Sequence, residues 1–140
     1  MKRIVFDPEK CTGCCACQLA CNDQRDIKCA LGQKPLRHME RREKNGRILS
    51  YSVGCVHCGA CMKVCPAGAI TRNEAGFVVL SEDKCRGCGA CVAACPLSVI
   101  SVDPESGHAV KCDGCWGRLE AGLLPACVHT CPIGALTIKE

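Results

Sequence analysis

CVHCGACMKVCPAGAITRNEAGFVVLSEDKCRGCGACVAACP, residues 55–96, decides how this chain folds. Its cysteines fall twice at the same steps. Cys55-x2-Cys58-x2-Cys61-x3-Cys65 is followed by Pro66, and Cys85-x2-Cys88-x2-Cys91-x3-Cys95 by Pro96. Outward from this stretch lie two further groups. Upstream is Cys11-x2-Cys14-x2-Cys17-x3-Cys21, followed by Asn22 instead of proline. Downstream is Cys112-x2-Cys115-x11-Cys127-x3-Cys131, followed by Pro132. Flanking text repeats too. DPEKCTGCCAC at 7–17 echoes EDKCRGCGAC at 82–91, and CPAGAI, CPLSVI and CPIGAL follow groups two, three and four. The chain is an internal repeat before it is anything else.

Composition says what must hold it together. Eighteen of 140 residues are cysteine and only four are Phe, Trp or Tyr, so an ordinary apolar core would be thin. Disulfides or metal must supply the rest. The opening MKRIVFDPEKCTGC shows no secretory h-region and no twin arginine, and no run approaches a membrane span. The expectation is a cytoplasmic chain with no direct membrane insertion, where thiols stay reduced and bind metal.

C-x2-C-x2-C-x3-C-P is the bacterial ferredoxin run for a [4Fe–4S] cluster. Zinc sites more often use paired C-x2-C hooks at longer separation. Small residues between the cysteines let a loop wrap a cube and aim N–H groups at its sulfurs. The fourth cysteine of each run ligates the other cluster of a pair. Cys61 and Cys65, four apart on a helical turn, sit about 5–6 Å from each other at Cβ. Thiols so placed on different cubes force those cubes close. Groups two and three are close enough in sequence to pair, with a short β-rich run at Phe77–Leu80 between turns. Groups one and four are left to pair with each other.

The expected fold is therefore small α+β: two nested bacterial-ferredoxin-like modules around four [4Fe–4S] clusters, with few short strands and helices. The inserted module spans 55–95, and 1–54 with 96–140 form the outer one. One cluster takes Cys11, Cys14, Cys17 and Cys131, and a second takes Cys21, Cys112, Cys115 and Cys127. A third takes Cys55, Cys58, Cys61 and Cys95, and a fourth Cys65, Cys85, Cys88 and Cys91. The eleven-residue excursion in group four, WGRLEAGLLPA, reads as a loop or short helix closed by Pro125, covering its cube and presenting a surface. Trp116 and Arg118 shield a cube and dock the excursion, or contact a partner.

CDGCWGRLEAGLLPACVHTCP, residues 112–132, resembles the last cysteine motif of the iron–sulfur electron-transfer subunits of the dimethyl sulfoxide reductase family. The resemblance rests on C-D-x-C, Arg118, Gly122, Pro125 and A-C-V-x-x-C-P. C-V-H-C at Cys55–Cys58 is similar to that family's C-x-H-C motif. Similar subunits serve formate dehydrogenases, hydrogenases, carbon monoxide dehydrogenases and tungsten aldehyde oxidoreductases. The likeness implies four cubes in line, with groups one and four paired and groups two and three paired. It also implies a large catalytic redox subunit as partner and a soluble or flavin-linked electron carrier.

Other residues carry less. Cys15 and Cys29 are left over: free thiols that behave as small apolar residues, a register shift in group one, or a redox thiol. His57 either packs or donates toward sulfur. His38, His108 and His129 have no partner pattern. Lys34, Arg37, Arg41, Arg42, Lys44 and Arg47 form a basic run read as a solvated segment or a docking surface. Glu40 and Glu43 interrupt it and no aromatics interleave, which argues against nucleic acid. The formal +4 counts thiols as neutral. Sixteen thiolates and four oxidised cubes at +2 turn it to −4, and full reduction to −8. Every iron would already hold a cysteine and no nucleophile–base pair or phosphate loop is visible, so the chain has no substrate site of its own. The expected function is relay of single electrons through four clusters as the small subunit of an anaerobic oxidoreductase complex. A free polyferredoxin is the alternative, and a metal-stabilised interaction module with no redox role is a third reading.

Overall fold

A computed structural model describes residues 1–140. The strands are β1 (Arg3–Phe6), β2 (His38–Lys44), β3 (Arg47–Val53), β4 (Ile70–Arg72), β5 (Val78–Leu80), β6 (Ser101–Val102), β7 (Ala109–Val110) and β8 (Leu136–Lys139). The helices are α1 (Ala16–Gln24), α2 (Ala60–Val64), α3 (Ala90–Ala94), α4 (Trp116–Glu120) and α5 (Ala126–Thr130), with one 3-10 turn at Cys29–Leu31. The mixture of few, short strands and helices is the α+β class expected from the repeats.

Proline explains the lengths of the helices. The residue before a proline is pushed out of the helical region into extended backbone. Cys65, Cys95 and Cys131 each precede one, and each has extended backbone with ψ of 111°, 116° and 113°. So α2, α3 and α5 stop after five residues, and the last thiol of each group turns away from its helix. Group one has Asn22 in that place. Its helix therefore runs on through Cys21 to Gln24, nine residues in all. Cys17 and Cys21, one turn apart, are both buried.

All strands pair in antiparallel twos: β1 with β8, β2 with β3, β4 with β5, β6 with β7. The β1–β8 pair sets Arg3 opposite Lys139 and Phe6 opposite Leu136, so it joins the two ends of the described chain. The β2–β3 hairpin turns at Asn45-Gly46, both with positive φ, the residue pair a tight hairpin demands. Its tip projects from the body, exposed from Arg41 to Ile48.

Only 29 residues are buried, too few for one conventional core, and the apolar ones that pack together form three separate clusters. The largest unites Cys61, Ile70, Val78, Cys91, Ile100 and Ala109. It reaches beyond Cys95, where the sequence reading ends the inserted module, because β6 and β7 close over it. A second unites Cys17, Cys127 and Leu136, with Ile4, Phe6, Met39 and Cys131 packed on it. A third unites Cys21, Ile27 and Leu36. Cysteines stand in every cluster, where other proteins would place leucine.

Candidate iron–sulfur sites

The loop of each cysteine group is built the same way. The third residue of the group has positive φ: Gly13 at 76°, His57 at 55°, Gly87 at 71° and Gly114 at 73°. That conformation turns its N–H back onto the first cysteine. Gly13 donates to Cys11 Sγ at 3.4 Å, His57 to Cys55 Sγ at 3.3 Å and Gly114 to Cys112 Sγ at 3.3 Å. The stretch after the last cysteine does likewise. Ala69 N–H donates to Cys65 Sγ at 3.4 Å and Ala135 N–H to Cys131 Sγ at 3.2 Å. Converging N–H dipoles favour negative charge on sulfur. At Cys131 burial raises the pKa, but N–H groups of Leu136, Ile133, Ala135 and Gly134 outweigh it and leave the thiol below its ordinary range. At Cys85 the N–H groups of Ala109 and Gly87, with His108, likewise overcome burial.

The chain brings the predicted thiols together across the groups. One cavity is lined by Cys11, Cys14, Cys15 and Cys17 of group one together with Cys131 of group four. Another is lined by Cys65 of group two with Cys85, Cys88 and Cys91 of group three. No three Cys, His, Asp or Glu side chains close in tightly enough for a single ion. Several thiols from two groups around one cavity are the donor set that an iron–sulfur cluster takes.

At the remaining cysteines burial dominates, and neighbouring thiols add to it. Burial pushes the Cys21 thiol up to about 12, helped by Cys112, Cys127 and Cys115, with Arg37 opposing. Burial likewise lifts Cys127 to about 11, against Arg37. So Cys21 lies among the first three thiols of group four. Burial lifts Cys55 to about 11 against Lys111, with Cys112 of group four and then Cys61 adding to the rise. Cys58 acts on Cys61 in the same sense. Cys95 joins this group only through packing on the core that holds Cys61. Thiols raised this far stay protonated in the bare chain. Iron, by supplying positive charge, is what would ionise them.

Two buried cations stand among these sulfurs, and the sequence alone marks neither. Arg37, part of the run expected to be solvated, is 5 % exposed. Its guanidinium donates to Ser52 O at 3.2 Å and Ser52 Oγ at 2.9 Å, and Ser52 Oγ lies 3.1 Å from Cys17 Sγ. Lys111 is 1 % exposed. Its ammonium donates to the carbonyls of Val78 and, at 2.6 Å, Cys112. Buried charges need partners, and a cluster with its four thiolate ligands, net negative as a unit, would provide one beside each cation.

His57 is buried as well. Its ring meets Phe77 edge-on at 5.0 Å between centroids, and Phe77 faces Trp116 at 6.4 Å. Burial, then Lys111, pushes the imidazole down to about 4. Trp116 thus packs where groups two and four meet. The excursion runs as α4, a turn and α5. Pro125 caps the start of α5, so it opens a second helix where the sequence reading has it closing one. Arg118 Nε donates to Leu124 O at 2.7 Å and folds the excursion on itself. Cys15 takes the helix-opening position that glycine fills in groups two and three, at φ 67°, and its thiol faces Gly13 O. Cys29 is exposed on the 3-10 turn. Arg41, Arg42, Lys44 and Arg47 of the basic run lie on the hairpin, where Arg42 spans Glu40 at 2.6 Å and the Tyr51 ring at 4.4 Å.

Repeated thiol-lined loops of this kind define an iron–sulfur cluster-binding, ferredoxin-like protein. Residues 47–140 match the family model of a 4Fe-4S dicluster domain. The chain is 40% identical over 145 residues to the B subunit of the anaerobic dimethyl sulfoxide reductase of Haemophilus influenzae, covering 95% of this chain and 71% of the relative. It is 40% identical over 144 residues to the corresponding subunit from Escherichia coli K12, covering 95% and 70%. It is 35% identical over 153 residues to the formate dehydrogenase iron-sulfur subunit of H. influenzae, covering 94% of this chain and 49% of the relative. The chain belongs to this family of iron–sulfur electron-transfer subunits. No helix is long and apolar enough to cross a membrane.

Proposed function

We propose that the chain holds four [4Fe–4S] clusters and relays single electrons between a large catalytic subunit and a second redox partner. Bound clusters supply one-electron chemistry, and the protein supplies spacing, exclusion of water and hydrogen bonds to sulfur. The ligand sets are those read from the sequence: Cys11, Cys14, Cys17 and Cys131; Cys21, Cys112, Cys115 and Cys127; Cys55, Cys58, Cys61 and Cys95; Cys65, Cys85, Cys88 and Cys91. One observation carries the reading. Two cavities each gather the first three spaced thiols of one group and the last thiol of another, with Cys15 also lining the first.

The module boundaries follow. An inserted module runs from Cys55 to about Val110, as the shared core of Ile70, Val78, Ile100 and Ala109 supports. The outer module takes 1–54 and the remainder, tied by β1 and β8. The partner suggested by the relatives is the catalytic subunit of a dimethyl sulfoxide reductase-type enzyme, and a carrier on the other side completes the circuit. Exposed Leu123 and Leu124 on the excursion supply an apolar contact for such a partner.

Anaerobic purification from native cells tests this. About sixteen irons per chain and stable co-elution with a large redox subunit are expected. A colourless, iron-poor protein, or an iron-loaded chain that elutes alone, would reject it.

A further inference from the structure

Of the four cysteine groups, three place glycine third, where the backbone is left-handed, and only group two places a bulky side chain there. A non-glycine residue in that region is strained. His57 is held in it nonetheless. Arg72 donates to its carbonyl at 3.2 Å, and the ring is packed against Phe77. A histidine kept at a glycine position, buried at 9 % exposure, needs a reason in its ring.

The ring is fixed at both nitrogens. Val78 N–H donates to His57 Nδ1 at 2.9 Å. A backbone N–H can only donate, so Nδ1 accepts, and the ring proton sits on Nε2. Nε2 lies 3.8 Å from Cys112 Sγ. That sulfur belongs to group four, whereas the histidine lies between Cys55 and Cys58 of group two. The hydrogen bond therefore crosses from one module to the other. Lys111, beside Cys112, lies in the same junction and acts on Cys55 as well.

We propose that His57 is the residue that sets the reduction potential of the cluster in the neighbouring module, by donating its Nε2–H to the Cys112 thiolate. A donor to a ligand sulfur favours the more negative, reduced state. The histidine thus tunes the cluster that faces its own across the junction, and its effect falls on the step between modules. This rests on the ligand sets proposed above.

The test uses holoprotein prepared without oxygen, with iron counted per chain and each cluster's potential read by redox titration followed by electron paramagnetic resonance. His57→Asn keeps a side chain at home in left-handed backbone and an acceptor for Val78 N–H, but its amide is too short to reach Cys112. His57→Gln extends a donor toward the sulfur. With His57→Asn, iron content stays unchanged while one cluster becomes about tenfold harder to reduce, about 59 mV for one electron. His57→Gln restores most of that shift. The shifted signal is the one that Cys112→Ser alters, not the one that Cys58→Ser alters. Unchanged potentials in a fully loaded His57→Asn protein overturn the proposal, as does a shift confined to the Cys58 signal. Far fewer than sixteen irons in the unsubstituted protein would instead overturn the ligand sets, and this proposal with them.

Discussion

The proposed inner and outer modules would solve one problem by different routes. The inner module closes locally. Its cysteine groups are nineteen residues apart, its two short hairpins are consecutive, and it owns the largest buried cluster. The outer module closes across the chain. Cys17 packs with Cys127 and Leu136, and β1 pairs with β8 from the opposite end of the sequence. Loop closure grows costlier with separation, though slowly. The outer module meets that cost with few apolar side chains, so the proposed clusters must do more of the joining there. The same thiol motif is thus a local staple in one module and a long-range clamp in the other.

Removing iron is the strongest way to break this contrast. Because metal binding and folding are coupled in so thin a core, chelation should abolish most of the circular dichroism of the chain. Proteolysis of partly depleted protein should release the β1–β8 region before the segment from Cys55 to Val110. A compact, cooperatively unfolding metal-free chain would sink the claim, and equal protection of both modules would erase the difference between them.

Replacing the exchanged thiols comes next. Cys131→Ser should damage the cluster proposed for Cys11, Cys14 and Cys17, and Cys65→Ser that proposed for Cys85, Cys88 and Cys91. Each should cost up to about a quarter of the iron, consistent with one cluster in four. Because the outer module depends more on its clamp, Cys131→Ser should lower the unfolding temperature more than Cys65→Ser does. The reverse order would show that the inner module is the weaker one.

The junction offers a smaller effect. Phe77 is fully buried between His57 and Trp116. Phe77→Ala should cost about 3–5 kcal/mol in denaturant unfolding of the loaded protein. Gly114 lies beneath that ring, where an added Cβ would come within 2.5 Å of Phe77, at φ 73°. Gly114→Ala should cost about 1–3 kcal/mol through strain and crowding. Losses well below these would mean that the modules meet loosely.

Smallest is the charge tie between modules. Lys28 of the outer module meets Asp103, beyond Cys95, at 2.7 Å. The hydrogen bond from Lys28, then the backbone N–H of Glu105, pull the Asp103 pKa down from 3.8 to about 2. Since the folded-state pKa is the lower one, the contribution is present above 3.8 and fades as pH falls toward 2. Asp103→Asn should lower the unfolding temperature slightly at neutral pH and low salt, and high salt should close the gap. A difference that persists in high salt would point to packing instead.

Much of this is legible in the sequence. The α+β class, the four groups and the iron–sulfur chemistry follow from spacing, because the distance between thiols on a loop is set by the chain itself. The Asn45-Gly46 pair signals the β2–β3 hairpin, but the charges around it draw the eye to a basic run instead. The extension of the inner core to Ile100 and Ala109 leaves no mark near Cys95, since a two-residue strand has almost no pattern. Pro125 reads as a helix end, although proline caps starts as readily.

Read along the chain alone, the donor atoms, their steps along the loops and, through Pro66, Pro96 and Pro132, the points where three helices must stop are already set. These are local, covalent constraints. Only the tertiary structure decided which side chains stand beside the sulfurs. Lys10, Lys84 and Lys111 each precede the first cysteine of a group, yet only Lys111 is buried. His57 sits among the thiols of one module and reaches a sulfur of the other. Burial and reach depend on how distant segments pack, and no residue carries that information alone.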